Sequence, residues 1–378
     1  MVKNILISGG AGFIGSNLAL KLLGSGYEVT VLDNLSPQVH GDDPGYSYTY
    51  SLIKDRVRFI RGSVENKEDW KKSLEKIDIV VHLAAETGTG QSMYEIEKYV
   101  SCNIGGTANL LKILTNEKHD VKKIVLASSR AVYGEGKCLC PTHGVVYPVS
   151  RTDKYLSIGD FNVKCPICNK NTTMLPTDEN SLLHPTSVYG FTKQAQEQLC
   201  FLVGQSLNLP VVAFRFQNVY GPGQSLKNPY TGILSIFSTR IKNGNALNIF
   251  EDGHETRDFV YIEDVTDAIV LGIEKETPNF NVFNVGSGES VEVLTVAETL
   301  REKYKSGIHV QVSGNYRLGD IRYNLADLTK IQEKLGYQPK IDFRRGISDF
   351  IDWVETQPVE RDYYEESVEE MKRKRLFK

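Results

Sequence analysis

No stretch of the sequence reaches the roughly 18–20 consecutive apolar residues that a membrane-spanning helix needs. Nor is either charge sign in excess. Lys+Arg 44 against Asp+Glu 47 leaves a net charge of −3, which removes the bulk electrostatic case for a nucleic-acid or anionic-membrane partner but leaves room for a local basic pocket. The amino terminus has no basic segment, apolar core and small-residue cleavage site in succession. Met1 to Ser8 runs straight into a strand-like segment, so a cytoplasmic location is the expectation. There is no internal repeat and no low-complexity tract. Cysteine is scarce, six in 378 residues, which argues against a disulfide framework in a cytosolic chain of this size. What remains is an ordinary globular composition, 40% hydrophobic and 24% charged.

The first half alternates short apolar runs with amphipathic stretches. Val- and Ile-rich runs at 4–8, 28–32, 57–61, 78–83, 123–127 and 211–216 are apolar almost throughout, as strands buried on both faces of a parallel sheet must be. Helical periodicity fits 13–23, 67–74, 95–114 and 187–207. This βαβ rhythm predicts an α/β fold, a Rossmann-type doubly wound parallel sheet whose ligand crevice lies at the carboxyl ends of the strands. Residues 1–217 read as that domain, and 218–378, with a mixed pattern, as a smaller α/β substrate lobe. The polar segment at about 135–178 breaks the rhythm, carries four cysteines and shows no convincing helix. It reads as an insertion with its own stabilising device. The basic tract Met371-Lys372-Arg373-Lys374-Arg375 follows acidic Glu365, Glu366, Glu369 and Glu370 and reads as a solvated helix end rather than a partner patch.

Gly9-Gly10-Ala11-Gly12-Phe13-Ile14-Gly15 sits between the first strand and the first helix. Gly9 permits the tight turn, Gly12 lets backbone approach a diphosphate, and Gly15 lets helix and sheet pack closely. The diphosphate then meets unpaired N–H groups at the positive end of the helix dipole. Asp33 ends the second strand, about 20 residues on, where a carboxylate bonds ribose hydroxyls and repels a 2′-phosphate, favouring NAD over NADP.

Tyr189 and Lys193 stand at i and i+4 on one helix face. A tyrosine with its ordinary pKa near 10 is a poor base at neutral pH. A neighbouring ammonium and a positive nicotinamide ring favour the phenolate and are expected to lower that value. Ser129 follows the fifth strand at the same crevice, placed to donate to, or relay a proton from, a substrate hydroxyl. The plainer reading of Ser129 is a turn or cap residue.

These residues, with Asn103-Ile104-Gly105-Gly106-Thr107, Val132-Tyr133-Gly134 and Arg257-Asp258-Phe259-Val260, resemble the extended short-chain dehydrogenase/reductases, and within them the nucleotide-sugar epimerases. The resemblance implies Ser129, Tyr189 and Lys193 as catalytic triad. It implies an NAD site lined by Gly9, Gly12, Phe13, Ile14, Gly15, Asp33, Asn34, Ser63, Val64, Leu83, Ala84, Ala85, Thr87 and Asn103, together with Tyr189 and Lys193. Ser63 stands where the family commonly has an Asp near the adenine. It implies Thr89, Asn218, Arg257, Arg317 and Asp320 on the nucleotide-sugar side, the arginines matching phosphate oxygens. Related 4,6-dehydratases carry an Asp-Glu pair just after the Ser/Thr, where this chain has Arg130 and Ala131. The stretches 86–92 and 220–232 and the Cys-bearing insertion are similar to dTDP-L-rhamnose 4-epimerases. The implied reaction is redox-neutral: C4 of the sugar is oxidised to a 4-keto species and reduced from the opposite face, so dTDP-L-rhamnose and dTDP-6-deoxy-L-talose interconvert. A homodimer is implied, through the helices carrying Tyr189 and residues 95–114. A UDP-hexose 4-epimerase, a keto-sugar reductase and a non-catalytic dinucleotide-binding scaffold are the alternatives.

Cys138-Leu139-Cys140 and Cys165-Pro166-Ile167-Cys168, with His143 close by, pair four thiols in a segment with little apolar surface. Four thiolates close a tetrahedral structural zinc site. Free thiols and a disulfide or redox role remain open. Cys102 and Cys200 fall on amphipathic helices and read as small buried apolar residues.

Overall fold

The computed structural model describes residues 3–230, 232–276 and 279–378. Met1 and Val2 of the amino-terminal run, and Thr231 of the 220–232 stretch, lie outside them. Seven parallel strands form the main sheet: β1 (Asn4–Ser8), β2 (Glu28–Asp33), β3 (Arg58–Arg61), β4 (Ile79–His82), β5 (Lys123–Ser129), β6 (Val211–Phe216) and β7 (Asn281–Val285), in the spatial order 7-6-5-4-1-2-3. Alternate side chains serve opposite faces, as the pleat demands. Ile5, Ile7, Val29, Val31, Val125 and Phe214 enter one core. Leu6, Leu32, Val80, Ile124, Leu126 and Ala213 enter the other. The strand order reverses between β1 and β4, which opens the crevice there. Among the described residues no helix is long and apolar enough to cross a membrane.

Three helices position the site. They are α1 (Phe13–Gly24), α2 (Gly106–Asn116) and α3 (Val188–Leu207). The segment expected as one helix over 95–114 is helical but interrupted by a π turn at Val100–Gly105, which leads into α2. The expected boundary at 217/218 is not a clean domain division. Helix α4 (Ile262–Glu274) crosses back over the sheet and delivers β7, which pairs in parallel with β6. Val265, Ile269 and Phe283 therefore belong to the core of the first lobe. The second lobe has its own core around Tyr220, Phe237, Phe259 and Phe350. The insertion is a three-stranded antiparallel sheet, with Cys138–Cys140 between Gly144–Val146 and Thr173–Met174, plus one helical turn at Asp153–Leu156. The carboxyl-terminal helix Tyr364–Arg373 has Glu365 and Glu366 in its first turn and Lys372 and Arg373 in its last, the polarity its dipole favours.

Candidate active site

A cavity of about 570 Å³ opens at the carboxyl ends of the sheet strands, between the two lobes. Of the residues that the sequence assigns to cofactor, catalysis and substrate, all but Ser63 and Asn103 line it.

The glycine turn is built as its spacing requires. Gly9 has φ +72°, and a Cβ on it would lie 2.7 Å from the Ala84 nitrogen. A Cβ on Gly15 would lie 2.4 Å from the Gly9 carbonyl oxygen, so α1 can press against the turn only without a side chain there. Gly12 is the N-cap of α1 and brings no side-chain cap, leaving first-turn N–H groups to an anion. Asp33 accepts from the Ala11 N–H at 3.0 Å and the Leu35 N–H at 2.9 Å. Burial raises its pKa, against these bonds and the nearby His40. Asn218 Oδ1 is buried without a partner among the described residues. A glycine cradle, free helix N–H groups, a carboxylate at the end of β2 and an orphaned amide oxygen fit NAD.

Two expected cofactor contacts are corrected. Ser63 is not at the cavity: its N–H donates to Asp69 at 3.0 Å and its hydroxyl turns to Glu65. Gly62 and Val64 line that wall instead. Asn103 sits fully buried in the π turn behind the wall. It accepts from the Glu86 N–H at 2.8 Å and donates to Thr192 Oγ1 at 2.9 Å. It ties the loop after β4 to α3 and so positions the wall without forming it.

Tyr189 and Lys193 share one face of α3, whose N-cap Ser187 accepts from the Gly190 N–H at 3.1 Å. Lys193 is buried, donates to the Ala127 carbonyl at 3.0 Å, and is brought down to about 8 by burial. In the protein alone the tyrosine is shifted upward. Burial raises its pKa, opposed by a hydrogen bond with Ser129 and by the Arg130 charge. Desolvation of the phenolate outweighs the neighbouring cations in the protein alone. Ser129 fills both of its readings. It caps the short turn Arg130–Tyr133, accepting from the Ala131 N–H at 3.2 Å, and it meets the tyrosine.

The far side of the cavity is cationic. Strand alternation over Thr256–Tyr261 sends Arg257 into the cavity, while Asp258 turns behind it to the Ser287 N–H at 2.7 Å. Arg257 donates to the Ile321 carbonyl at 3.0 Å. Arg317 meets Asp320 at 2.9 Å. Although burial opposes it, Arg317, Arg257 and Arg151 hold the Asp320 carboxyl below its usual range. Arg130 and Glu255 are among the lining residues that the sequence does not point to. The sequence marks Arg130 only by the lack of a carboxylate there, yet it lines the cavity, brought down to about 10 by burial and the nearby Arg257. Glu255 also lines it, raised to about 7 by burial and Glu251, with Oε2 unpartnered among the described residues. Its place two residues before Arg257, just ahead of the strand Thr256–Tyr261, was the available signal.

The cysteine set is also corrected. The structure gathers Cys140, His143, Cys165 and Cys168, with ligand atoms within 4.8 Å of one another. Cys138 is excluded. It faces inward with Cys140, but two strand residues put it about 6.6 Å further along, and burial pushes its thiol up to about 11. His143, in the following turn, folds back in its place.

The profile of the NAD dependent epimerase/dehydratase family matches residues 5–155 and 165–286. A dTDP-L-rhamnose 4-epimerase of Burkholderia thailandensis is 36% identical over 355 residues, 93% of this chain and 95% of that one. A UDP-glucose 4-epimerase from Thermotoga maritima, solved with UDP-glucose, superposes with a TM-score of 0.73 at 30% identity, covering 93% of this chain and 98% of that one. A UDP-glucuronic acid 4-epimerase from Bacillus cereus, solved with UDP-glucuronic acid and NAD, superposes with a TM-score of 0.75 at 27% identity, covering 93% and 99%.

Proposed function

The chain belongs to the NAD dependent epimerase/dehydratase family, and from that premise we propose that it is a nucleotide-sugar 4-epimerase interconverting dTDP-L-rhamnose and dTDP-6-deoxy-L-talose. The observation that carries the reaction class is one cavity joining Tyr189, Lys193 and Ser129 to Arg257 and Arg317, with Arg130 and Ala131 where a dehydratase needs carboxylates. When bound, NAD supplies a carbon that accepts a hydride and gives it back. Tyr189 Oη takes the proton of the sugar C4 hydroxyl and later returns it. Ser129 orients that hydroxyl against the phenol. The Lys193 ammonium favours the phenolate, and Arg257 and Arg317 bind the diphosphate while the sugar turns. Gly9, Gly12, Asp33 and the β4 loop hold the dinucleotide. None of the four insertion cysteines lines the cavity, so zinc has no part in this chemistry.

The sugar and base rest on likeness to the Burkholderia enzyme. The two sugars differ in the placement of one hydroxyl, so their equilibrium lies within a factor of about ten, or about 1.4 kcal/mol, of unity. NMR time courses on dTDP-L-rhamnose, UDP-galactose, UDP-glucose and GDP-mannose, with no added reductant, test it. Expected is turnover of dTDP-L-rhamnose and release of NAD(H) on denaturation. Turnover of UDP-galactose alone would move the assignment to a UDP-hexose 4-epimerase. A preparation active only with added NADPH would make it a reductase.

A homodimer is part of this reading. Phe191 and Leu202, three turns apart on one face of α3, are exposed at 55% and 66%, and Ile96 and Val100 are exposed on the preceding helical segment, which packs against α3. Apolar faces of this kind are covered in assemblies. Sedimentation velocity is expected to show a dimer that Leu202→Glu converts to monomer. A monomeric parent chain would remove the proposal.

A further inference from the structure

The insertion contains a cluster that the epimerase chemistry does not use. Cys140 Sγ lies 3.7 Å from His143 Nδ1 and 3.7 Å from Cys168 Sγ, and Cys165 Sγ lies 3.6 Å from His143 Nδ1. A tetrahedral zinc with bonds of about 2.3 Å to sulfur and about 2.0–2.1 Å to nitrogen has edges of about 3.8 Å between sulfurs and about 3.6 Å between sulfur and nitrogen. These three of the six separations match those edges, and all six lie within 4.8 Å. The cysteines are all free, and 3.7 Å is far beyond the roughly 2.05 Å of a disulfide.

Two matching half-sites produce this geometry. Cys140-Pro141-Thr142-His143 is followed by Gly144 at φ +69°, and Cys165-Pro166-Ile167-Cys168 by Asn169 at φ +60°. Each is a Cys-Pro-x-ligand turn closed by a left-handed residue, the conformation Gly and Asn tolerate. The Thr142 N–H donates to Cys140 Sγ at 3.4 Å, a contact that favours thiolate. In the second turn the Cys165 N–H donates to the Lys170 carbonyl at 2.8 Å, and the Asn169 N–H to the Cys165 carbonyl at 2.9 Å. Besides its cysteines the module buries Val146 and Val163, with Tyr323 packed against them, and a separate small cluster of Leu156 and Phe161 against Tyr316. That apolar surface is too small to order the segment unaided.

We infer that Cys140, His143, Cys165 and Cys168 bind one Zn²⁺ in a closed tetrahedral site that braces the rim of the cavity. Three thiolates and an imidazole suit zinc, and four ligands leave no open position for catalysis. The brace runs through Arg151, in the chain between the two turns. Arg151 bonds Glu135 at 3.0 Å, both Glu251 oxygens at 2.7 and 2.8 Å, and the Asp320 carbonyl at 3.0 Å. Glu135 in turn accepts from the Arg322 N–H at 2.8 Å. The same 320–322 loop receives Arg257. An ordered insertion therefore holds the backbone on which the cationic wall rests.

The test is metal analysis of the chain purified under reducing conditions, then of its variants. Expected is about one zinc per chain that survives dialysis and is released by a mercurial thiol reagent. Cobalt substitution is expected to give the visible bands of tetrahedral Co²⁺ with thiolate charge transfer. Cys165→Ser is expected to lose the metal, while Cys138→Ala and His143→Cys keep it. Hydrogen exchange in the Cys165→Ser protein is expected to rise over 135–178 and 317–322 and stay unchanged in the 9–15 turn. These readouts stand whether or not the sugar assignment does. A chain that carries no zinc and takes none up when Zn²⁺ is added, a Cys140–Cys168 disulfide by mass spectrometry, or equal metal loss from Cys138→Ala would each overturn the site.

Discussion

Tyr189→Phe is expected to lower kcat by about 10²-fold or more, the scale of losing a positioned general acid/base, while NAD remains bound and the unfolding midpoint stays put. The phenol oxygen is the only atom removed. The ring keeps its edge-on contact with Tyr99, 6.5 Å between centroids, and the Tyr189 N–H keeps its bond to Ser92 Oγ. The pH profile supplies a second readout. Burial holds the Tyr189 phenol above its ordinary value in the protein alone, against Ser129 and Arg130. Every nearby positive charge therefore helps to make the phenolate available. Removing one with Lys193→Met is expected to move the rising, acid-side limb of the rate profile to higher pH, because the phenolate loses a stabilising cation. Near-parental turnover in Tyr189→Phe would show that another group moves the proton, and Glu255, raised to about 7 in the same cavity, would be the next to test.

Arg215→Leu is expected to destabilise the fold by about 3–5 kcal/mol, the cost of leaving a buried charge without its partner. Tyr189, Lys193 and Glu197 stand at i, i+4 and i+8 on α3, so the stripe that begins at the proposed base ends on a carboxylate. That carboxylate is 5% exposed and receives Arg215 from β6 in two bonds of 2.9 and 2.7 Å, with the Ser128 hydroxyl of β5 as a third donor. Arg215 also donates to the Tyr133 hydroxyl at 2.8 Å and stacks over its ring, and Tyr133 reaches Asn284 of β7 at 2.8 Å. The network locks α3 in register with three strands and the turn after Ser129. Chemical denaturation measures the loss. Glu197→Leu in the same chain is expected to restore part of it, since two apolar residues replace a buried pair more cheaply than one orphaned charge. A double variant no more stable than Arg215→Leu would refute the account.

Much of the fold was legible because it is written in local periodicity. Continuous Val/Ile runs mark strands covered on both sides, and the structure places their alternate residues in two separate cores. The glycine turn was legible because each glycine answers to a nearby contact: Gly9 to the β4 loop and Gly15 to the turn itself. The Tyr189/Lys193 pair was legible because i and i+4 must share a helix face. The return of β7 to the first sheet was not, since 281–285 reads as a short strand whichever lobe it joins, and only pairing with β6 chooses. The second cysteine turn was present in the sequence as Cys140-Pro141-Thr142-His143, a repeat of the Cys165 turn. The closer spacing of Cys138 to Cys140 concealed it.

The sequence by itself determined the strand–turn–helix order, the glycine turn and the Tyr189/Lys193/Glu197 stripe of α3, because each depends on contacts among residues close in the chain. Tertiary structure decided which side chains share the cavity. It put Ser63 and Asn103 outside, brought Arg130 and Glu255 in, and replaced Cys138 by His143. In the protein alone it also raises the Tyr189 pKa by burial, against Ser129 and Arg130. The physical reason is common to all of these: spacing along the chain fixes the direction of a side chain within its own element, whereas desolvation and proximity come from elements that meet only when the chain is packed.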